Sequence, residues 1–437
     1  MRRIGERLAA AMPAGGRHPI KALDARAMEL ATRDQELRAA LFRFVDVVPA
    51  CRSLEDVARH LRGFLQELAE TPPPISAALR ITDNRAARPA LGAAAAAGVK
   101  HMAHRFIVGE TPASAVRVLR GLWERGVASS VDLLGEATVT QAEADSYAAR
   151  CREALEHIDR RARAWPGREA LERDSLGVLP RTNVSVKISA LTPLLRPDAP
   201  ERGQQDAADR LLPLLRRADE LDAHIHVDME SLDSREAVLE LILKLLASPE
   251  LAGGPSVGIV LQAYLRDSPE QLSTVLAWAR STHRTPPLQI RLVKGAYWDH
   301  ELVEARQEGW PVPVFEHKSD CDRNFEELTR ALLDARPAVR VAIASHNLRS
   351  VSHAIAYNRL SGGQDRDLEI QVLRGLGDDL QDALATEGFR VRTYCPVGDL
   401  VAGMAYLVRR LLENTSNESF LAEQARGRSL DELLAAP

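Results

Sequence analysis

From about residue 127 the chain alternates short β-branched apolar runs with longer charged stretches whose apolar residues recur at helical spacing. That rhythm predicts repeated strand–helix units and a parallel sheet. The strand candidates are VASSVDLLGE ending near Glu136, VSVKISAL around Lys187, HIHVDME around Asp228, VGIVLQAYL around Gln262, LQIRLVKGAYW around Arg291, VRVAIASHN reaching His346, LEIQVLRGLG around Arg374 and FRVRTYCPVG around Tyr394. Eight of them, each followed by a helical pattern, predict the α/β class and a (βα)8 barrel with its chemistry at the carboxyl ends of the strands. Upstream, LFRFVDVVPA is a helix broken by Pro49, and SLEDVARHLRGFLQELAE is a helix in which Ser53 stands three residues before Asp56 as a capping box. TPPPIS reads as a linker and ALGAAAAAGVKHMAHRFIVGE as helical. The expected organisation is a helical arm over 1–75, a helical linker region over 76–126 and the barrel over 127–437.

Every strand candidate carries a polar or ionisable residue near its carboxyl end. In VSVKISAL, Ser185, Lys187 and Ser189 share one face, opposite Val184, Val186 and Ile188. In HIHVDME, His224, His226, Asp228 and Glu230 oppose Ile225, Val227 and Met229. The apolar faces fit a ring of packed helices. The polar faces fit a mouth that holds a polar ligand, because charge inside a dry barrel needs compensation. Lys187 is open between a solvent-seeking strand residue, a Schiff-base lysine and a cation for a carboxylate. Asp228 is its natural partner if their strands are adjacent.

Other groups have two readings each. His224 and His226 are structural histidines, or join His346 in a metal-dependent barrel hydrolase, although the nearest late carboxylate, Asp399, falls past the last strand. Arg291 and Lys294 bracket a strand end at which Gly295 permits close backbone approach: a basic turn, or an anion site. Neither a GxGxxG nor a GxxxxGK[ST] pattern is present to supply phosphate binding. Near the end, Asp399, Ala402, Gly403, Tyr406, Arg409, Arg410 and Glu413 fall on one helical face, with Val401, Met404, Ala405, Leu407, Val408, Leu411 and Leu412 on the other. This is an outer helix with an Arg409–Glu413 pair, or a helix offering two guanidinium forks to a carboxylate.

Composition narrows the partners. The 437 residues are 45% hydrophobic and 27% charged, as expected of a globular chain with a large core. With 57 basic and 61 acidic residues the net charge is −4, which leaves no general electrostatic reason to expect a nucleic-acid partner. Cys51, Cys151, Cys321 and Cys395 lack CxxC spacing, so neither a zinc ribbon nor a disulfide scaffold is expected, and a reducing, cytoplasmic compartment fits. The apolar run at the N-terminus is short and interrupted, unlike a cleaved leader. No apolar run of about 20 residues could span a bilayer, which leaves only peripheral membrane contact.

LFRFVDVVP, DLLGE, VSVKISAL, HVDMES, GIVLQAYL, IRLVKGAYWD, ASHN, YCPVGDL and YLVRRLLENTSNESF, in this order, resemble proline dehydrogenase, in particular the dehydrogenase module of the bifunctional proline utilisation A flavoenzymes. The resemblance covers nearly the whole chain from about residue 40. It implies a distorted (βα)8 barrel with its last helix over the mouth, non-covalent FAD, and oxidation of L-proline to Δ1-pyrroline-5-carboxylate by hydride transfer from C5 to flavin N5. It further implies that Arg409, Arg410 and Lys187 hold the proline carboxylate, that Asp228 organises the site, and that Tyr297, Tyr394 and Tyr406 wall the ring. For the flavin it implies Arg291 and Gln262 at the isoalloxazine, with Met229, Lys294, Gly295, Ala296, Trp298, Ser345, His346 and Glu413 around the cofactor. A membrane quinone as acceptor, reached by peripheral contact with the inner membrane, and a dehydrogenase for the pyrroline-5-carboxylate or glutamate semialdehyde product are implied partners. Two departures stand out: the sequence stops at RSLDELLAAP where the bifunctional relatives continue into an aldehyde dehydrogenase module, so either a stand-alone dehydrogenase or a piece of a longer protein is expected, and no N-terminal DNA-binding extension is seen, so a repressor role is not expected. RRARAWPGREALERDSLGVLP, near 160–180, reads as an insertion between the first two strands.

Overall fold

The structure is a computed structural model that describes residues 1–12, 35–68, 88–135, 137–399, 403 and 427–437. TPPPIS, Glu136, Tyr406, Arg409, Arg410 and Glu413 lie outside the described residues, as does most of the last amphipathic helix. Eight parallel strands close into one barrel: β1 (Val127–Leu133), β2 (Asn183–Lys187), β3 (His224–Asp228), β4 (Ser256–Gln262), β5 (Leu288–Val293), β6 (Val339–Ala344), β7 (Leu368–Leu373) and β8 (Arg390–Val397), with β1 pairing both β2 and β8. Helices α6 (Gln141–Ala162), α7 (Pro200–Glu220), α8 (Leu232–Leu246), α9 (Ser268–Thr282), α10 (Trp298–Glu308), α11 (Lys318–Asp334), α12 (Leu348–Leu360) and α13 (Asp378–Thr386) come between successive strands. Their apolar stripes cover the outward strand faces, where Val184, Val186, Ile225, Val227, Ile290 and Val391 are sealed from water. Each such side chain contributes roughly 1.5–3 kcal/mol by leaving water.

One strand end differs from expectation. β2 stops at Lys187, level with Asp228, the last residue of β3. Beyond that register no ladder partner remains, so residues 188–191 wind into a helical turn. Ser189 is therefore not on the face of Ser185 and Lys187. Its carbonyl accepts from the backbone N–H of Thr138 instead.

The barrel interior is polar over much of its height. The Ser130 hydroxyl bonds both Asn183 and Ser185, His224 stacks at an angle on His226, and Gln289, Gln371, Glu369 and Arg392 are all buried. Gly258 faces His226 across the β3–β4 ladder, and a Cβ there would lie 2.2 Å from His226 Nδ1. Glycine at this position is what lets two imidazoles fit inside.

The insertion after β1 closes the floor. Residues 169–172 form a helical turn, and Arg173–Asp174 pairs antiparallel with Gly177–Val178. This ribbon sends Asp174 under the barrel, where it accepts from Arg340 Nε at 3.0 Å and Nη2 at 3.2 Å and lies 3.5 Å from Arg390 Nη1. Beside it, Glu369 takes a two-pronged bond from Arg392, at 2.9 and 3.0 Å. Burial raises the Glu369 pKa, but Arg392 and then Arg390 outweigh that and hold it at about 2.

The N-terminal region is built from α1 (Arg2–Ala11), α2 (Gln35–Val47), α3 (Leu54–Gln66), α4 (Arg88–Phe106) and α5 (Pro112–Glu124). α2 ends where Pro49 enters a 3-10 turn, and Ser53 caps α3 by accepting from Asp56 N–H. α2, α3 and α4 share a small core of Phe44, Val48, Val57 and Val99. α1 packs against α12 and α13, with Gly5 against the Leu434 side chain near the C-terminus. No helix among the described residues is long and apolar enough to cross a membrane.

Candidate functional site

All eight strand ends converge on a cavity of about 350 Å³, lined by Asp132 from β1, Lys187 from β2, Asp228 from β3, Gln262 from β4, Arg291 from β5, Ala344 from β6, Leu373 from β7 and Tyr394 from β8. Met229, Lys294, Gly295, Ala296, Tyr297, Ser345 and His346 complete the wall from the loops above the strands. Asp228 is the hub. Its Oδ1 accepts from Arg291 Nη1 at 2.7 Å, and its Oδ2 accepts from the Tyr394 hydroxyl at 2.5 Å and from Lys187 Nζ at 3.5 Å. The Arg291 guanidinium also lies 5.4 Å from the centre of the Tyr394 ring. Burial pushes the Tyr394 phenol well up, and the Asp132 and Asp228 charges add to this, so the hydroxyl remains a donor.

Lys187 has a closer partner than Asp228. Its ammonium donates to Asp132, which is 1% exposed. Burial alone would push the Lys187 pKa down; Asp132 first and Asp228 second override this and hold it above the ordinary lysine range. Asp132 was not singled out from the sequence, where it is one carboxylate in an apolar run. Its signal was the alternation that puts Ser130 and Asp132 on the inner face of β1. The strand backbone at Lys187 is held as well, because Lys187 N–H donates to the buried Tyr147 hydroxyl at 3.2 Å.

Polar atoms around the cavity suit a larger polar group. Gln262 donates to Glu230 O at 3.0 Å, but its Oε1 has no partner, and neither has Arg291 Nε. Gly377 lets the His346 ring approach: a Cβ there would be 2.7 Å from His346 Cδ2. Lys294 and Lys318 both hold Asp322 just outside the cavity, Lys318 at 2.7 Å. Lys318 is a second basic residue at this edge, which no strand or motif in the sequence marks. Trp298 does not reach the wall; its indole N–H donates to Phe315 O at 2.8 Å.

The metal-hydrolase alternative is overturned by the ring nitrogens. His226 Nε2 faces the Ile259 carbonyl at 3.1 Å and so carries the proton; its Nδ1 then accepts from His224 Nε2 at 3.2 Å, and His224 Nδ1 accepts from the Ser256 hydroxyl at 2.8 Å. No lone pair on either ring is left for an ion. His346 belongs to the opposite side of the barrel, where its Nε2 accepts from Leu373 N–H at 2.9 Å. Among the described residues no group of His, Cys, Asp or Glu is arranged to hold a metal.

The buried pair gives a pH prediction. Both imidazole pKa values lie well below the usual range, through burial first and then Arg392 for His224 and Arg291 for His226. A folded-state pKa below the unfolded one gives stability that is present at neutral pH and lost on acidification. Below about pH 6.5 the unfolded chain takes up protons that the folded chain refuses, so unfolding free energy falls by up to about 1.4 kcal/mol per pH unit for each histidine. Denaturant titrations between neutral pH and about pH 5 measure the slope. Replacing either histidine with glutamine removes about half of this component; an unchanged slope contradicts the assignment.

Fold and site together define a TIM-type barrel enzyme whose mouth holds an ion-paired carboxylate under a basic, polar wall. The proline dehydrogenase family model matches residues 115–423, and that of the proline utilization A N-terminal domain matches residues 1–106. The bifunctional protein PutA of Salmonella typhimurium is 34% identical over 347 residues, 77% of this chain and 25% of that one. Proline dehydrogenase of Deinococcus radiodurans is 29% identical over 323 residues, 74% of this chain and 89% of that one. The solved structure of proline utilization A from Bdellovibrio bacteriovorus, inactivated by N-propargylglycine, superposes with a TM-score of 0.91 at 35% identity, covering 100% of this chain and 44% of that one. The chain thus spans about a quarter of the length of the Salmonella bifunctional relative. It belongs to the proline dehydrogenase family.

Proposed function

We propose that this cavity oxidises L-proline to Δ1-pyrroline-5-carboxylate with FAD as the bound electron acceptor. The observation that carries this reading is the convergence of all eight strand ends on one cavity, in which Asp228 is clasped by Arg291, Tyr394 and Lys187 in one buried cluster. When bound, FAD supplies a ring that accepts a hydride from the carbon next to the amine. Gln262, through its unpartnered Oε1, and Arg291, through its unpartnered Nε, are the buried groups that would meet this ring. Arg291 there favours extra electron density, because a fixed cation stabilises negative charge in a low-dielectric site. Lys294, Gly295, Ala296, Met229, Ser345 and His346 would hold the cofactor from the loops, with Trp298 bracing the loop from behind and Glu413 added by resemblance.

The charges of the cluster suggest a division of labour. The cavity lining sets the carboxylates Asp132, Asp228 and Glu230 against the cations Lys187, Arg291 and Lys294, and Lys294 is already paired with Asp322, so the lining offers no surplus cation. A proline carboxylate therefore calls for cations beyond these three. That supports a clamp by Arg409 and Arg410 with Lys187 assisting, while Tyr297, Tyr394 and Tyr406 bound the pyrrolidine ring. Clamping fixes the ring orientation, which is where positioning lowers the barrier. Both Asp228 oxygens are engaged by donors, which favours water over Asp228 as the acceptor of the amine proton. A membrane quinone as final acceptor, peripheral membrane contact from the cytoplasm and a partner dehydrogenase for the product belong to the same reading.

The purified chain is expected to be yellow, to release FAD on acid denaturation, and to reduce an artificial dye only when L-proline is added, with the pyrroline product trapped by an aromatic amino-aldehyde. N-propargylglycine, which inactivated the Bdellovibrio relative, is expected to abolish dye reduction. Colourless protein, or dye reduction with D-proline in preference to L-proline, contradicts the proposal.

A further inference from the structure

We infer that Tyr264, behind the cavity wall, is a positioning residue that sets the height of the Lys294–Tyr297 loop and through it the affinity for the cofactor. The inference rests on the proposed flavin site. Tyr264 lies two residues past the end of β4, is 3% exposed and is not part of the cavity lining. Its backbone ties two segments together: its N–H donates to Lys294 O at 2.7 Å, and its carbonyl accepts from Phe315 N–H at 2.9 Å. Phe315 in turn accepts from the Trp298 indole, so both ends of the loop are tied to Tyr264, directly or through one residue.

The ring fills the space that Gly295 leaves. Gly295 has φ +135°, a conformation that favours glycine, and a Cβ there would lie 1.9 Å from Tyr264 Cδ1 and 2.2 Å from Cε1. The loop therefore rests directly on the aromatic face. Tyr297, on the cavity wall, packs on the same satellite core of Tyr264, Leu265, Leu302 and Val314. The phenol contributes shape and not a bond: its oxygen has no hydrogen-bond partner, and burial first, then Glu301, pushes its pKa up so that it stays neutral. The loop thus needs a flat ring under Gly295 and does not need the hydroxyl. A branched aliphatic side chain cannot supply that flat support, even where it fills part of the volume.

The test compares Tyr264→Phe with Tyr264→Leu. The phenylalanine variant is expected to bind FAD within twofold of wild type. The leucine variant is expected to keep its far-ultraviolet circular dichroism but bind FAD about tenfold more weakly, about 1.4 kcal/mol. Its crystal structure is expected to show Gly295 sunk toward the vacated ring. Unchanged FAD affinity with Gly295 in place overturns the inference, as does a phenylalanine variant as weak as the leucine one. Wild-type protein that binds no FAD overturns the flavin reading instead, and the position of Gly295 in the two variant crystal structures still decides the role of Tyr264.

Discussion

Asp228→Ala is expected to lower kcat/KM for the proposed substrate L-proline by about a thousandfold, equivalent to about 4 kcal/mol, the range expected when a buried ion pair loses one partner. Arg291 is 4% exposed and Lys187 is mostly buried, so neither cation can turn to bulk water when its acceptor is removed. Arg291 retains a 3.4 Å contact with Ser185 Oγ and the face of the Tyr394 ring but no carboxylate, and Lys187 retains Asp132. The Tyr394 hydroxyl loses its acceptor in the same step. Three groups that define the wall around the substrate therefore lose their common reference at once. Asp228→Asn keeps the shape without the charge and falls between wild type and alanine. Steady-state kinetics with a dye acceptor, alongside thermal melting, separate disorganisation of the site from loss of fold. An alanine variant within tenfold of wild type would mean that Asp228 is a bystander.

Asp174→Ala destabilises the fold by about 4 kcal/mol, because it strands charge at the closed end of the barrel. Arg340 and Arg390 are 3% and 1% exposed, and both donate to this one carboxylate, which comes from a ribbon whose strands are two residues each. Glu369 takes the two-pronged bond from Arg392 and already lies 3.7 Å from Arg390 Nε, so Arg340 is the guanidinium left without a carboxylate. Denaturant unfolding measures the loss. Combining Asp174→Ala with Arg340→Met recovers part of it, since removing the stranded charge as well is less costly than stranding it. Chemistry in the folded fraction stays near wild type, because the cavity lies at the other end of the strands. A loss below about 1 kcal/mol would show that the ribbon closes the floor without its charge.

The contrast between these two ends marks what a single sequence reveals. Eight strands were legible because each is a short β-branched run between helical patterns, and alternation assigned the polar faces. That Lys187 and Asp228 pair also followed, since the two residues end adjacent strands in register. Asp132 escaped because its partner is 55 residues away, and alternation with Ser130 places it on the inner face of β1 without naming that partner. The histidine pair stayed open between a structural and a metal reading because HxH spacing says nothing about the next strand, whose Gly258 makes room and whose Ile259 carbonyl accepts a hydrogen bond from His226. The insertion was unreadable for a similar reason: Asp174 has meaning only beside Arg340 and Arg390, 166 and 216 residues away. Tyr406, Arg409, Arg410 and Glu413 lie outside the described residues, so the clamp rests on resemblance and on the charge balance of the other cluster.

Anaerobic mixing of the flavin-loaded protein with L-proline, compared with L-proline deuterated at C5, tests the central claim most directly. Bleaching of the flavin by L-proline, slowed several-fold by deuterium at C5, is the predicted result. A flavin that stays yellow with L-proline, or an isotope effect that follows deuterium at C2 and not at C5, contradicts the account.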